Sequence, residues 1–218
     1  GDGEGNDSDW LAQLRSDGIQ RFGPTGLPTP KMEDWKYTPL RPLEDTEFRP
    51  VTEADGAANV GQLPTLFPGD ANTPRIVFVN GCLRVDFSRL DDLPDGMLVQ
   101  SLADAMAEDP DWVGAYLGRI GRLVAKPLLA LNTAMMNSGV VVRVRKSVVV
   151  KTPVEMVFVA GLTDGPVAYY PRNLIGLIQL QRAQGVLRRI IHHALADASQ
   201  LGQPIGLRSL DQQILLLK

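Results

Sequence analysis

The stretch "GVVVRVRKSVVVKTPVEMVFV", residues 139–159, decides the fold. Valine dominates it, and its β-branched side chains favour a pleated, half-buried surface over a helix. Turn-forming residues interrupt the apolar runs every eight to twelve positions around it, so the pattern predicts several short strands with no βαβ alternation. A sandwich, a barrel or a β-helix would each suit such strands, and periodicity alone does not choose among them. The β pattern is read as starting at Pro127, in "PLLALNTAMM", with Met135 and Met136 as core filling or a corner. Within the stretch, Arg143 and Arg145 share one side of a strand and Lys146 takes the other. That arrangement reads as a solvated strand face rather than a phosphate site.

Upstream, "RIVFVNGCLRVDFS" sets four apolar residues, Ile76 to Val79, before Asn80-Gly81, and then alternates Leu83, Val85 and Phe87 with polar neighbours. Asn-Gly tolerates positive φ, so this segment predicts a β-hairpin. "SLADAM" and "DWVGAYLGRIGRLV" read as helices capped by Ser101 and Asp111. Residues 9–22 carry Trp10, Leu11, Leu14, Ile19 and Phe22 at helical spacing behind Asp9 as N-cap, with Gly18 as a weak point. "FGPTGLPTPK" is expected to leave the helix. In "PKMEDWKYTPLRPL", residues 30–43, three prolines favour extended backbone. Trp35 and Tyr37 would then share one face and pin the arm onto the body of the protein. Residues 49–75 read as turns and linkers. Near the C-terminus "RAQGVLRRIIHHALADASQLG" reads as an amphipathic helix, and "DQQILLLK" as a short strand or helix.

The chain has 218 residues, 44% hydrophobic and 22% charged, with net charge −3. These values suit a globular protein with a sizeable core and give no reason to expect a nucleic-acid or membrane partner. "GDGEGNDSD" has neither the basic nor the apolar part of a signal peptide and reads as a disordered lead-in over residues 1–8. Cys82 is the sole cysteine, so no intrachain disulfide forms, and a cytoplasmic location is the simpler expectation. The candidate metal ligands are Cys82, His192 and His193. One thiol and two adjacent imidazoles, which diverge in a strand or a helix, make a poor ligand set, and no metal site is expected. No Ser-His-Asp arrangement or phosphate loop is legible. "GRIGR" follows a helical segment, and the acids of "LEDTE" lack a partner spacing for acid–base work.

Four stretches together resemble one family. "GLPTPKMEDWKYTPL", "RIVFVNGCLRVDFSRLDDLPDGMLVQSLADAM", "KPLLALNTAMMNSGVVVRVRKSVVVKTPVEMVFV" and "YPRNLI" occur in the order and approximate spacing of the SufB/SufD family of iron–sulfur cluster assembly scaffolds, on its SufD branch. The resemblance implies a mainly β fold. A right-handed parallel β-helix over residues 127–218 would follow a helical and mixed region over residues 9–126. It also implies a non-enzymatic scaffold that works with SufB-like and SufC-like ATPase partners, and it leaves room for a homodimer. A transient iron–sulfur cluster would form in complex with SufB, with no cofactor held stably. Family members are generally longer, so a large middle portion of the β-helix is expected to be absent, truncated or not represented in this sequence. The late segments through which the family binds SufC and builds the cluster find no match, so no such role passes to His192 or His193. Two other readings stand beside this one: a β-solenoid enzyme acting on carbohydrate or acyl substrates, and an oligomerisation module without cluster function.

Overall fold

The computed structural model describes residues 9–57, 72–91, 93–119, 126–178, 192–196 and 213–217, the last two segments and 177–178 by backbone alone. Helix α1 spans Asp9–Thr25, with Asp9 as its first residue rather than its cap. Gly18 does not break it. A Cβ there would lie 2.7 Å from the Ala134 nitrogen, so the bare glycine lets another helix approach closely. The helix also runs on through Phe22, Gly23, Pro24 and Thr25, where the sequence pattern predicts a break. Proline in a last turn removes only one backbone bond, and Gly26, at φ +63°, then closes the end.

The proline-rich arm is not extended. Met32 donates to Thr29 O, Trp35 to Met32 O and Thr38 to Trp35 O, all within 3.0 Å, which coils the segment around a 3₁₀ turn at Glu33–Trp35. Trp35 is half-buried and Tyr37 is 87% exposed, so the expected two-ring clamp does not form. Pro28 and Leu40 are the buried anchors instead. Short α2 (Arg41–Glu44), β1 (Arg49–Pro50) and α3 (Glu53–Gly56) follow, the last closed by a capping box between Thr52 and Asp55.

The hairpin forms as predicted from Asn80-Gly81, both at positive φ, between β2 (Arg75–Val79) and β3 (Cys82–Leu83). Its second arm stops at Leu83, however. Residues 84–88 form a turn, and Val85 is 65% exposed. Strand β4 (Met97–Ser101) leads into α4 (Leu102–Glu108), capped by Ser101, and then α5 (Pro110–Tyr116). Asp109, not Asp111, caps α5, because Pro110 occupies the first helical turn and Asp109 Oδ1 accepts from Trp112 N. Residues Pro127–Met135 form α6 rather than a strand, and this helix packs along α1. The later strand structure therefore begins not at Pro127 but at β5 (Val140–Val144) and continues through β6 (Glu155–Ala160), β7 (Val167–Ala168), β8 (Leu174–Ile178), β9 (His192–Ala196) and β10 (Gln213–Leu217). The Val148–Val150 run is not a strand, since Ser147 turns the chain at φ +67° and leaves Val149 exposed. His192–Ala196 is strand where a helix is predicted; the rest of the 182–202 stretch lies outside the described residues.

The strands form two four-stranded sheets, ordered β3-β2-β6-β9 and β10-β8-β5-β4, with β1 paired to β7. Beyond β3 and β4, every pairing is parallel. Val141 faces Leu174, Leu174 faces Gln213 and Met156 faces His192, so these three pairings recur at a near-constant step along the chain, whereas β2–β6 and β1–β7 span much longer stretches. Alternation along the strands divides the core. Ile76, Phe78, Met156 and Phe158 of one sheet meet Val140, Val142, Val144 and Ile175 of the other. Val141 and Leu174 point the other way and are covered by Leu11, Leu102, Val113 and Leu117 from the helices. Phe78 and Phe158, opposite each other on β2 and β6, stack at 4.8 Å and 8°. Each such buried side chain contributes roughly 1.5–3 kcal/mol.

Candidate functional site

Three polar constellations sit where the chain's motifs meet. The first surrounds the hairpin corner and the sole thiol. Asn80, 1% exposed, donates from Nδ2 to Asp55 O and accepts at Oδ1 from Gly161 N, both at 2.8 Å. Arg84 Nη1 donates to Gly56 O at 3.0 Å. The Asp55 carboxylate accepts two bonds from Arg49, at 2.6 and 2.7 Å, and two more from the Thr52 N–H and hydroxyl. The Arg49 hydrogen bonds, then those of Thr52, hold its carboxyl far below the ordinary carboxylate range. Cys82 packs so closely on Gly56 that a Cβ there would lie 2.4 Å from its own Cβ. Burial first, and then the charges of Asp55 and Glu53, push the Cys82 thiol up. It therefore stays protonated at neutral pH, which makes it a poor nucleophile and a poor metal ligand.

The second constellation joins α6 to the strand end at Pro171–Asn173. Arg172, 3% exposed, donates to Asn132 Oδ1 at 2.8 Å and to Thr133 Oγ1 at 3.2 Å. Asn132 Nδ2 in turn donates to Pro171 O, and Asn173 Oδ1 accepts from Val140 N. Gly139 lies under this clamp at φ +139°, where a Cβ would come within 1.8 Å of Arg172 O. The third constellation sits on the outer face of β5. Arg143 Nη1 donates to Asp109 Oδ2 at 2.8 Å, and its guanidinium lies 3.8 Å over the Trp112 ring. Arg143 is thus a packed, paired cation and not part of a solvated face, whereas Arg145 is exposed as expected. The Arg143 bond and the Trp112 N–H hold the Asp109 carboxyl below its usual range.

The three candidate ligands do not converge. Cys82 pairs with Val79, Val79 with Val159, and Val159 with Leu195, so Cys82 stands level with Leu195 on β9. Three strand spacings separate β3 from β9, roughly 14 Å. His192 and His193 are adjacent in β9, opposite Met156 and Val157 in register. Among the described residues, no three His, Cys, Asp or Glu side chains group as a metal set. A small cleft between α1, α4 and Met136-Asn137 is lined mainly by Leu11, Leu102, Met106 and Met136. Arg15 at its edge is bonded to Met136 O. Sequence reasoning missed the Arg172–Asn132 clamp; its signal lay in "PRN" and "ALN", two polar-bearing triplets in otherwise apolar surroundings.

Fold and constellations together define a two-sheet body with a helical flank, whose buried polar groups hold strands, helix and arm in register. Residues 4–156 match the family described as SufBD protein N-terminal region, and the chain belongs to the SufBD family. It is 26% identical over 172 residues to a protein of Synechocystis sp. named as an iron–sulfur cluster assembly SufBD family protein. That match covers 78% of this chain and 37% of the relative, so the chain spans little more than a third of the relative's length.

Proposed function

We propose that this chain is the N-terminal part of a SufD-type scaffold for iron–sulfur cluster assembly, with the cluster as cargo rather than resident cofactor. The family match over residues 4–156 carries this reading. The geometry is in keeping with it, since the charged and polar groups of the three constellations are engaged in holding the fold together and present no poised acid–base pair. On this reading the protein is not itself an enzyme, and it acts with a SufB-like protein and a SufC-like ATPase that supplies the energy of ATP. The parallel strands that recur at a near-constant step support a further proposal, that the body is the start of a right-handed parallel β-helix. No helix among the described residues is long and apolar enough to cross a membrane.

The test is anaerobic reconstitution with iron and sulfide, using the full-length protein together with purified SufB-like and SufC-like partners. The expected result is a stable complex whose cluster yield rises when this protein is present. Failure to bind either partner overturns the proposal. A complex whose cluster yield ignores this protein reduces it to an assembly module.

A further inference from the structure

We propose that the first rung of the sheets is closed by a built-in end cap, so that strands cannot be added to the body at that end. The cap has one part on each sheet. On the first sheet, the side of β2 facing away from β6 is fully used. Val79 pairs with Cys82, Val77 O accepts from Arg84 N at 2.8 Å, and Arg75 exchanges both backbone bonds with Arg89. The remaining donor, Val77 N, is taken by the Ser88 hydroxyl at 2.9 Å, a side chain standing in for a strand carbonyl. On the second sheet, β4 runs antiparallel along all of β5, and the ladder extends at both ends, through Arg145 N to Gly96 O and Leu102 N to Gly139 O. On the small sheet, β1 covers β7 through Arg49 N to Pro166 O and Val51 N to Ala168 O, and its second residue, Pro50, has no N–H to offer outward.

Two of the covering strands make poor templates themselves. β3 and β1 have two residues each, while β4, as long as β5, is bounded by the Pro94 turn and the start of α4. Short, bent or proline-bearing edges are the usual protection against edge-to-edge pairing. The need for it is visible in the strands beneath: β2 reads RIVFV and β5 reads VVVRV, two apolar, β-branched segments of the kind that associate when uncovered. At the opposite end, β9 and β10 continue the parallel register, and no described residue pairs with their outer sides. Among the described residues, the body is therefore closed before β2 and β5. This holds whether or not the cluster-assembly reading is right.

Opening the cap tests it. Leu98 faces Arg143 at a position where β4 and β5 exchange backbone bonds, as the flanking Gly96 and Leu102 bonds require, and its side chain is 47% exposed. Leu98→Pro in the full chain thus removes ladder bonds with little loss of core. Val149→Pro, at a 70% exposed site outside any strand, is the control. Light scattering after size exclusion, over a range of concentrations, should show Leu98→Pro associating, with at least about a twofold rise in mass over wild type, while the control matches wild type. A Leu98→Pro protein with native circular dichroism and wild-type mass overturns the cap. If that variant does not fold, Ser88→Ala decides. It frees the Val77 N–H and removes one of the three bonds to Arg84 O, and wild-type mass at all concentrations then overturns the inference, while association supports it.

Discussion

Arg75 and Glu155 face each other across the parallel pair β2–β6, with Nε and Nη2 both on Glu155 Oε2 at 2.9 and 2.8 Å. The residues are only 7% and 5% exposed, so solvent contributes little to the screening of this pair. Replacing Glu155 by leucine deprives the guanidinium of its carboxylate in a site that water cannot fill, a change that costs about 3–5 kcal/mol. For a chain of this size each kcal/mol moves the melting temperature by about 2–4 °C, so the expected fall is roughly 6–20 °C. Arg75→Met combined with Glu155→Leu removes both charges, and apolar replacement of a buried pair is neutral or stabilising by about 1–4 kcal/mol. The double variant should therefore recover most or all of the loss. Urea unfolding followed by circular dichroism, run on both single variants and the double, gives the coupling energy directly. A loss below about 1 kcal/mol for Glu155→Leu, the scale of an exposed pair, would refute the reasoning. So would a double variant no more stable than the single.

Other outcomes follow from the same contacts. Tyr37→Ala should leave urea stability within about 0.5 kcal/mol of wild type, because the ring is 87% exposed, whereas Leu40→Ala should cost about 2–5 kcal/mol as the buried anchor of the arm. Gly139→Ala places a Cβ 1.8 Å from Arg172 O and should abolish soluble expression or cost at least about 3 kcal/mol, overpacking and backbone strain acting together. Asp55→Asn should be destabilised at pH 7, since the folded state depresses the carboxyl of Asp55 and thereby gains stability above the unfolded value. As the pH falls below the ordinary carboxylate range, wild type loses that contribution, and urea midpoints of the two proteins should converge. A constant gap down to the most acidic folded condition would show that the Arg49 and Thr52 bonds are not its source.

What was legible in the sequence was local. Asn80-Gly81 needs positive φ at two successive residues, and few other pairs supply it, so the hairpin could be read from two letters. Ser101 as a cap was equally local. The failures were partly tertiary. "PLLALNTAM" has apolar residues enough for a strand or a helix, and what made it a helix was α1, whose Gly18 offers a bare groove to Ala130 and Ala134. The prolines of the arm were read as extended, yet proline's fixed φ fits tight turns as well, and four backbone bonds between residues 29 and 38 chose the turns. Arg143 looked like a solvated cation because Asp109 and Trp112, its partners, lie more than thirty residues earlier in the chain.

The sequence blocks that mark the family meet one another in space, and this bears on what they are for. The "NG" of the second block fixes Asp55 O and Gly161 N through Asn80. The "ALN" of the third block and the "PRN" of the fourth are joined by Arg172 and Asn132, each bonded to the other's segment. The second block also supplies the residues that close the outer side of β2, and the strand that covers β5. The polar atoms named in these contacts serve to hold strands and helix in register.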